Sequence, residues 1–186
     1  MSLKSQEFTD KLKYRGKEIK IYEKAHLINP QVMSIGDFSQ IDDYTFLFGG
    51  KGISIGKRVH IAVFSSVIGG GEFISEDYSG LAAGCRIITG TDDFSGKTLA
   101  NSCIPPEFKG TKLSFVKLGK FAILGTNCIV MPGVTIGEGV MVGAGSIITK
   151  NLEPWGIYLG TSPKRVKERD PKPILEMAEI MEKKYG

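Results

Sequence analysis

Between Leu118 and Thr149 a branched aliphatic residue returns at every sixth position: Leu118, Leu124, Val130, Ile136, Val142 and Ile148. The position after each reads Gly119, Gly125, Met131, Gly137, Gly143 and Thr149, and the fifth place holds a small residue in Ala122, Cys128, Val134, Val140 and Ser146. A six-residue period fits neither the 3.6 of an α-helix nor the 2 of a plain strand. Upstream the same spacing runs Ile55, Ile61, Val67, Phe73, Ser79 and Cys85, with Val59, Ser65, Gly71, Asp77, Ala83 and Thr89 in the fifth place. Ile35, Ile41 and Leu47 join that block after a two-residue slip between Gly49 and Ser54.

Each hexad reads as a short strand and a turn, its first residue in the core and its fifth small because it packs inside a bend. Three hexads close a triangular coil of about 18 residues, and coils stack at about 4.8 Å. Roughly five such coils make a prism about 25 Å tall, paired backbone to backbone from coil to coil.

The ends break the pattern. Residues 3 to 13 predict a short amphipathic helix with Leu3, Phe8 and Leu12 on its apolar side, in a cap spanning 1–18. Pro171 to Tyr185 predicts a second helix, with Ile174, Leu175, Ala178 and Met181 at near-helical spacing, in a basic C-terminal segment 161–186. The β-helix is expected over 19–160, interrupted by a polar, turn-rich excursion at 91–115. Loops longer than about 12–15 residues are usually functional or disordered.

Glycine, 24 of 186 residues, exceeds its usual share of about 7% and sits between apolar residues, which argues for tight turns rather than disorder. The net charge of +4 comes from the two ends, without the basic stripe and interleaved aromatics of a nucleic-acid binder. A basic patch for a small anionic ligand fits better. Met1 to Gly16 has no apolar signal-peptide region, and no run approaches the ~20 apolar residues of a membrane span. Cys85, Cys103 and Cys128 are odd in number and unpaired in spacing, so a disulfide framework is not expected and the location reads as cytoplasmic.

The hexads of residues 19 to 170 resemble the hexapeptide-repeat acyltransferases. That likeness implies an all-β, left-handed parallel β-helix, homotrimeric, taking acetyl-CoA as co-substrate and no metal. Its handedness is an exception to the right-handed crossover rule. The likeness places CoA along the later coils. Thr126, Ala144, Thr149 and Lys150 match the pantetheine-contacting stretches, and Thr161, Lys164 and Arg165 fall in the Gly-x-Pro-x-Arg-like ending that holds phosphates.

The acceptor side departs from the family. Galactoside and xenobiotic acetyltransferases carry a general-base His at the loop, whereas Ile88 to Asp93 contains none. His60 is a catalytic candidate instead, with Tyr78 expected above it one 18-residue coil later and Gln40 below; His26 reads as structural. Asp92 and Asp93, opening the loop, are further catalytic candidates; Ser65 and Thr91 join Gln40 and Tyr78 as candidate substrate contacts. Asp-Asp-Phe-Ser-Gly and Glu-Pro-Trp-Gly-Ile-Tyr resemble sugar acyltransferases of surface-polysaccharide pathways. An amine acceptor on a nucleotide-linked amino-dideoxy sugar needs less help from a base than a hydroxyl. The rivals are a sugar O-acetyltransferase and a non-catalytic binding module. Two histidines are too few for a three-His zinc site like that of the γ-carbonic anhydrases, and the chain lacks the long N-terminal helical domain of a serine acetyltransferase.

Overall fold

The computed structural model describes residues 2–186, so Met1 of the expected cap lies outside the described residues. The chain is a parallel β-helix whose three faces follow one another in chain order. Face one runs from Tyr14–Arg15 to Val134–Ile136, face two from Lys20–Ile21 to Gly156–Leu159, and face three from His26–Ile28 to Ile147–Ile148. They are six, seven and six strands deep, more than the roughly five coils that the hexad count gives, and the antiparallel return Lys164–Glu168 adds an eighth strand to the sheet of face two. The difference lies at the start, where Tyr14–Arg15 already pairs with Met33–Ile35. The branched aliphatics point inward as the six-residue spacing requires: Ile35, Ile41, Leu47, Ile61, Leu118, Leu124, Ile136 and Ile148 are fully buried. Each such side chain contributes about 1.5–3 kcal/mol on leaving water.

The spacing from coil to coil is not uniform. In the first half Gln40 pairs with His60 and His60 with Gly80, a step of 20 residues, whereas Ile123 pairs with Met141 at a step of 18. The unbroken upstream ruler is corrected here. A second two-residue slip sits at Gly69–Gly71, so the aliphatics after Phe73 are Leu81 and Ile87, and Ser79 and Cys85 take the small place inside the bend. Glycine is required at this turn. Gly69 and Gly70 have φ of +102° and +77°, and a Cβ on Gly71 would lie 2.0 Å from the Ser114 carbonyl oxygen.

The vertex between faces one and two is built from aromatic residues held in the left-handed region: Phe38, Tyr78, Phe121 and Trp155 have φ of 58°, 61°, 58° and 56°. Such backbone costs about 1–2 kcal/mol per non-glycine residue. Stacking offsets part of it: Tyr78 and Phe121 rings lie 4.9 Å apart at 6°, and Phe121 meets Trp155 at 6.3 Å.

Helix α1 is a single turn, Gln6–Thr9, shorter than the pattern over 3 to 13 predicts. Leu3 bridges Tyr22 and Lys4 donates to the Ile21 carbonyl, so extended backbone covers the open edge of the first coil, and Ser5 caps the turn. Helix α2, Lys172–Tyr185, folds back on the prism along the aromatic vertex, where Lys57, Arg58 and Tyr78 grip Glu182. At the vertex between faces three and one the chain leaves as a loop from residue 92 to 111, closed at its root by antiparallel pairing of Gly90–Thr91 with Lys112–Leu113.

Candidate active site

His60 points outward from face two. Strand alternation puts Gln40 and Asp42 on that same outer side one coil below, and the three side chains form a chain. The Asp42 carboxylate lies 3.0 Å from the His60 Nε2, and its other oxygen accepts from the Gln40 amide at 2.8 Å. Above His60 stands Gly80, which leaves a notch of about 290 Å³ bounded by Arg58, His60, Tyr78, Ala82 and Ile123. Tyr78 is therefore not stacked above His60, a correction that follows from the 20-residue coil. It sits at the vertex, its ring on Phe121 and its phenol donating to Glu182 at 2.5 Å. Burial, then the bond to Glu182, pushes the phenol up to about 12.

Ser65 is corrected as well. It is buried inside the bend, where its hydroxyl donates to the Ala82 carbonyl at 3.1 Å and accepts from the Cys85 N–H at 3.2 Å. No face of it reaches the surface. His26 stands on face three, its ring stacked on Phe46 at 5.5 Å, away from His60. Among the described residues no group of three or more His, Cys, Asp or Glu is placed to hold a metal ion.

The two loop carboxylates organise the loop. Asp93 accepts from the Ser95 N–H at 2.9 Å, the Ser95 hydroxyl at 2.8 Å, the Lys97 N–H at 3.2 Å and the Thr98 hydroxyl at 3.3 Å. These donors, the Ser95 N–H foremost, hold its carboxyl down at about 2. Asp92 accepts from the Asn101 N–H at 3.0 Å and the Thr111 hydroxyl at 3.1 Å. Thr91 is half-buried at the loop root, its hydroxyl on the Asp92 carbonyl at 3.2 Å. The root lies on the vertex opposite face two, so one chain does not bring Asp92 and Asp93 to His60.

The donor candidates fall into two groups. Thr126, Ala144 and Thr161 follow one another up the vertex between faces two and three. There Gly145 N–H donates to the Thr126 carbonyl at 2.8 Å and Ile147 N–H to that of Thr161 at 2.6 Å. Thr149, Lys150 and Lys164 converge with Leu152 and Pro163 on a cleft of about 350 Å³ at the C-terminal end of the prism. Arg165 lies outside that cleft, donating to the Pro154 carbonyl at 3.1 Å and pairing with Glu168 at 2.9 Å. Its register opposite Tyr158 in the antiparallel return turns it the other way. Sequence reasoning missed Asp42, Gly80 and Glu182. The signal for Asp42 was its place two residues beyond Gln40, on the same side of the strand.

A hexad prism with an open basic cleft at one end and a histidine-bearing notch on one face has the architecture of a β-helix acyl-transfer enzyme. Residues 115–150 match the family model described as bacterial transferase hexapeptide (six repeats). A dTDP-4-amino-4,6-dideoxy-D-glucose acyltransferase of Escherichia coli is 33% identical over 166 residues, 89% of this chain and 86% of that protein. The structure of AntD, an N-acyltransferase from Bacillus cereus in complex with dTDP and 3-hydroxybutyryl-CoA, superposes with a TM-score of 0.90 at 34% identity, covering 100% of this chain and 99% of that one. A maltose O-acetyltransferase from Clostridium difficile 630 shares the fold alone, with a TM-score of 0.59 at 19% identity over 87% of this chain and 72% of that one. The chain belongs to the hexapeptide-repeat acyltransferase family.

Proposed function

We propose that this enzyme moves an acetyl group from acetyl-CoA to the amino group of a dTDP-linked amino-dideoxy sugar, in surface-polysaccharide biosynthesis. The observation that carries this reading is near-full-length likeness to two proteins, one named for a dTDP-4-amino-4,6-dideoxyglucose acceptor and one solved with dTDP and an acyl-CoA. The absence of a loop His agrees with an amine acceptor, because a free amine is already a strong nucleophile.

CoA is assigned to the later coils. Lys150 and Lys164 meet its phosphates in the terminal cleft, and backbone groups near Thr126, Ala144 and Thr161 line the pantetheine arm. The acceptor amine is assigned to the His60 notch with Gln40 beside it. Asp92, Asp93 and Thr91 serve a neighbour's notch rather than their own. A homotrimer supplies that neighbour, and face three offers an apolar surface for it in Phe46, Ile68 and Ile147, each 38–40% exposed. The cysteines are free thiols, in keeping with the cytoplasm. Among the described residues no helix is long and apolar enough to cross a membrane.

Following thiol release from acetyl-CoA tests the reading. Release with dTDP-4-amino-4,6-dideoxyglucose, and none with the 4-hydroxy sugar, is the expected result. Release only with hydroxyl sugars would move the assignment to O-acetyl transfer, and no saturable CoA binding would remove both.

A further inference from the structure

The Asp42–His60 pair goes beyond that assignment and rests on it. A carboxylate only accepts, so the 3.0 Å contact requires the imidazole to carry its proton on Nε2 and donate it to Asp42. The Asp42 carboxylate is itself fixed, since its second oxygen takes the Gln40 amide at 2.8 Å and it is mostly shielded, with its side chain 22% exposed. The imidazole is 52% exposed and looks into the notch left open by Gly80. Nδ1, with its lone pair, is thus the nitrogen left for a ligand. The other titratable groups around the notch are Arg58 and Tyr78, both already engaged by Glu182, while Gly80 and Ile123 from the next coils bring none; Lys20 lies one coil further down, paired with Gln40.

We propose that Asp42 is a positioning residue, seated by Gln40, that holds His60 in the Nε2–H tautomer so that Nδ1 takes the proton of the incoming ammonium group. The balance is closed. The ammonium gives one proton to Nδ1, and the imidazolium formed is stabilised by the Asp42 charge and later releases that proton to water. The freed amine attacks the thioester carbonyl carbon, a C–N bond forms, and the C–S bond breaks with its electron pair on sulfur. The second nitrogen proton leaves with that sulfur as the CoA thiol.

Long-range ¹H–¹⁵N spectra of the imidazoles in the whole protein test the tautomer directly, beside steady-state kinetics of variants. Wild type should show His60 protonated at Nε2 and bare at Nδ1 at high pH. His60→Ala should cost on the order of 10²-fold in kcat, the lower end of general acid–base catalysis. Asp42→Asn should cost about a tenth of that and mix the tautomers, with both KM values unchanged. Gln40→Ala, which leaves the carboxylate in place, should give a smaller change in the same direction. A slow His60→Ala enzyme beside an Asp42→Asn enzyme of wild-type rate and tautomer overturns the positioning role alone. A fully active His60→Ala enzyme overturns that role and the acceptor notch together, whereas failure of the wild type to acylate any amino sugar removes the function itself.

Discussion

Tyr78 donates its phenol proton to Glu182 across 104 residues of chain, and this 2.5 Å bond fastens the end of α2 to the aromatic vertex. Lys57 holds the other oxygen of that carboxylate, and Arg58 shares the oxygen that takes the phenol. The hydrogen bond from Lys57, then that from Tyr78, brings the Glu182 carboxyl down to about 2 from 4.5. A lowered acid contributes stability above 4.5 and loses it as pH falls towards 2, whereas the raised phenol contributes below 10 and loses it as pH climbs towards 12. The clasp should therefore hold from about pH 4.5 to 10 and loosen on either side. Melting curves across pH should show a Glu182→Ala deficit inside that window that shrinks outside it and in high salt. A deficit independent of pH would contradict the assignment.

Filling the notch should separate the acceptor from the donor. A Cβ on Gly80 would meet Ile123 Cδ1 at 3.3 Å and the His60 carbonyl oxygen at 3.5 Å, close but tolerable. Gly80→Val should keep the fold and the CoA affinity while kcat/KM for the amino sugar falls by at least ~10-fold, since small displacements at a reacting centre are costly. Calorimetry with CoA and steady-state rates measure the two effects independently.

The terminal cleft should show the opposite profile. Lys150→Ala or Lys164→Ala should weaken CoA by about 10-fold, the loss of one charge-assisted hydrogen bond, and lower the salt sensitivity of binding. The acceptor KM should not change. Arg165→Ala should have a smaller effect on CoA, because its guanidinium is engaged by Pro154 and Glu168.

Asp93 is expected to act through the loop. With four donors on it and a carboxyl at about 2, it stays ionised down to strongly acid pH. Asp93→Asn should make residues 94–110 more open to protease and slow turnover without moving the acid limb of the pH–rate profile. A shifted limb would mean that Asp93 itself exchanges the proton.

The later coils were legible in the sequence because residues 118 to 149 keep a strict step of six, so inward and outward positions follow by counting. The earlier coils were not, for a physical reason. Ser79 and Cys85 are small enough for the bend and buried enough for the core, so the slip at Gly69–Gly71 left no hydrophobic mismatch to mark it. Strands of two residues have partners fixed by coil length rather than by their own pattern, so an 18-residue count points to Tyr78 above His60 where the 20-residue coil puts Gly80. His60 and Gln40 were readable across the first coil step. Asp42 lay in plain sequence but gained meaning only once its carboxylate was seen against the imidazole. Glu182 was unreadable because no local pattern encodes where a terminal helix folds back.

The glycine turn at Gly69–Gly71 works as an expansion joint. The two added residues are taken up at that vertex, so Leu81 stays inward over Ile61 and, in the same register, Gly80 stays over His60. Coil length and notch are thereby separate variables: the far side of the prism can gain or lose residues without touching the acceptor side, whereas a shift within face two would expose an aliphatic before it changed the neighbour of the histidine.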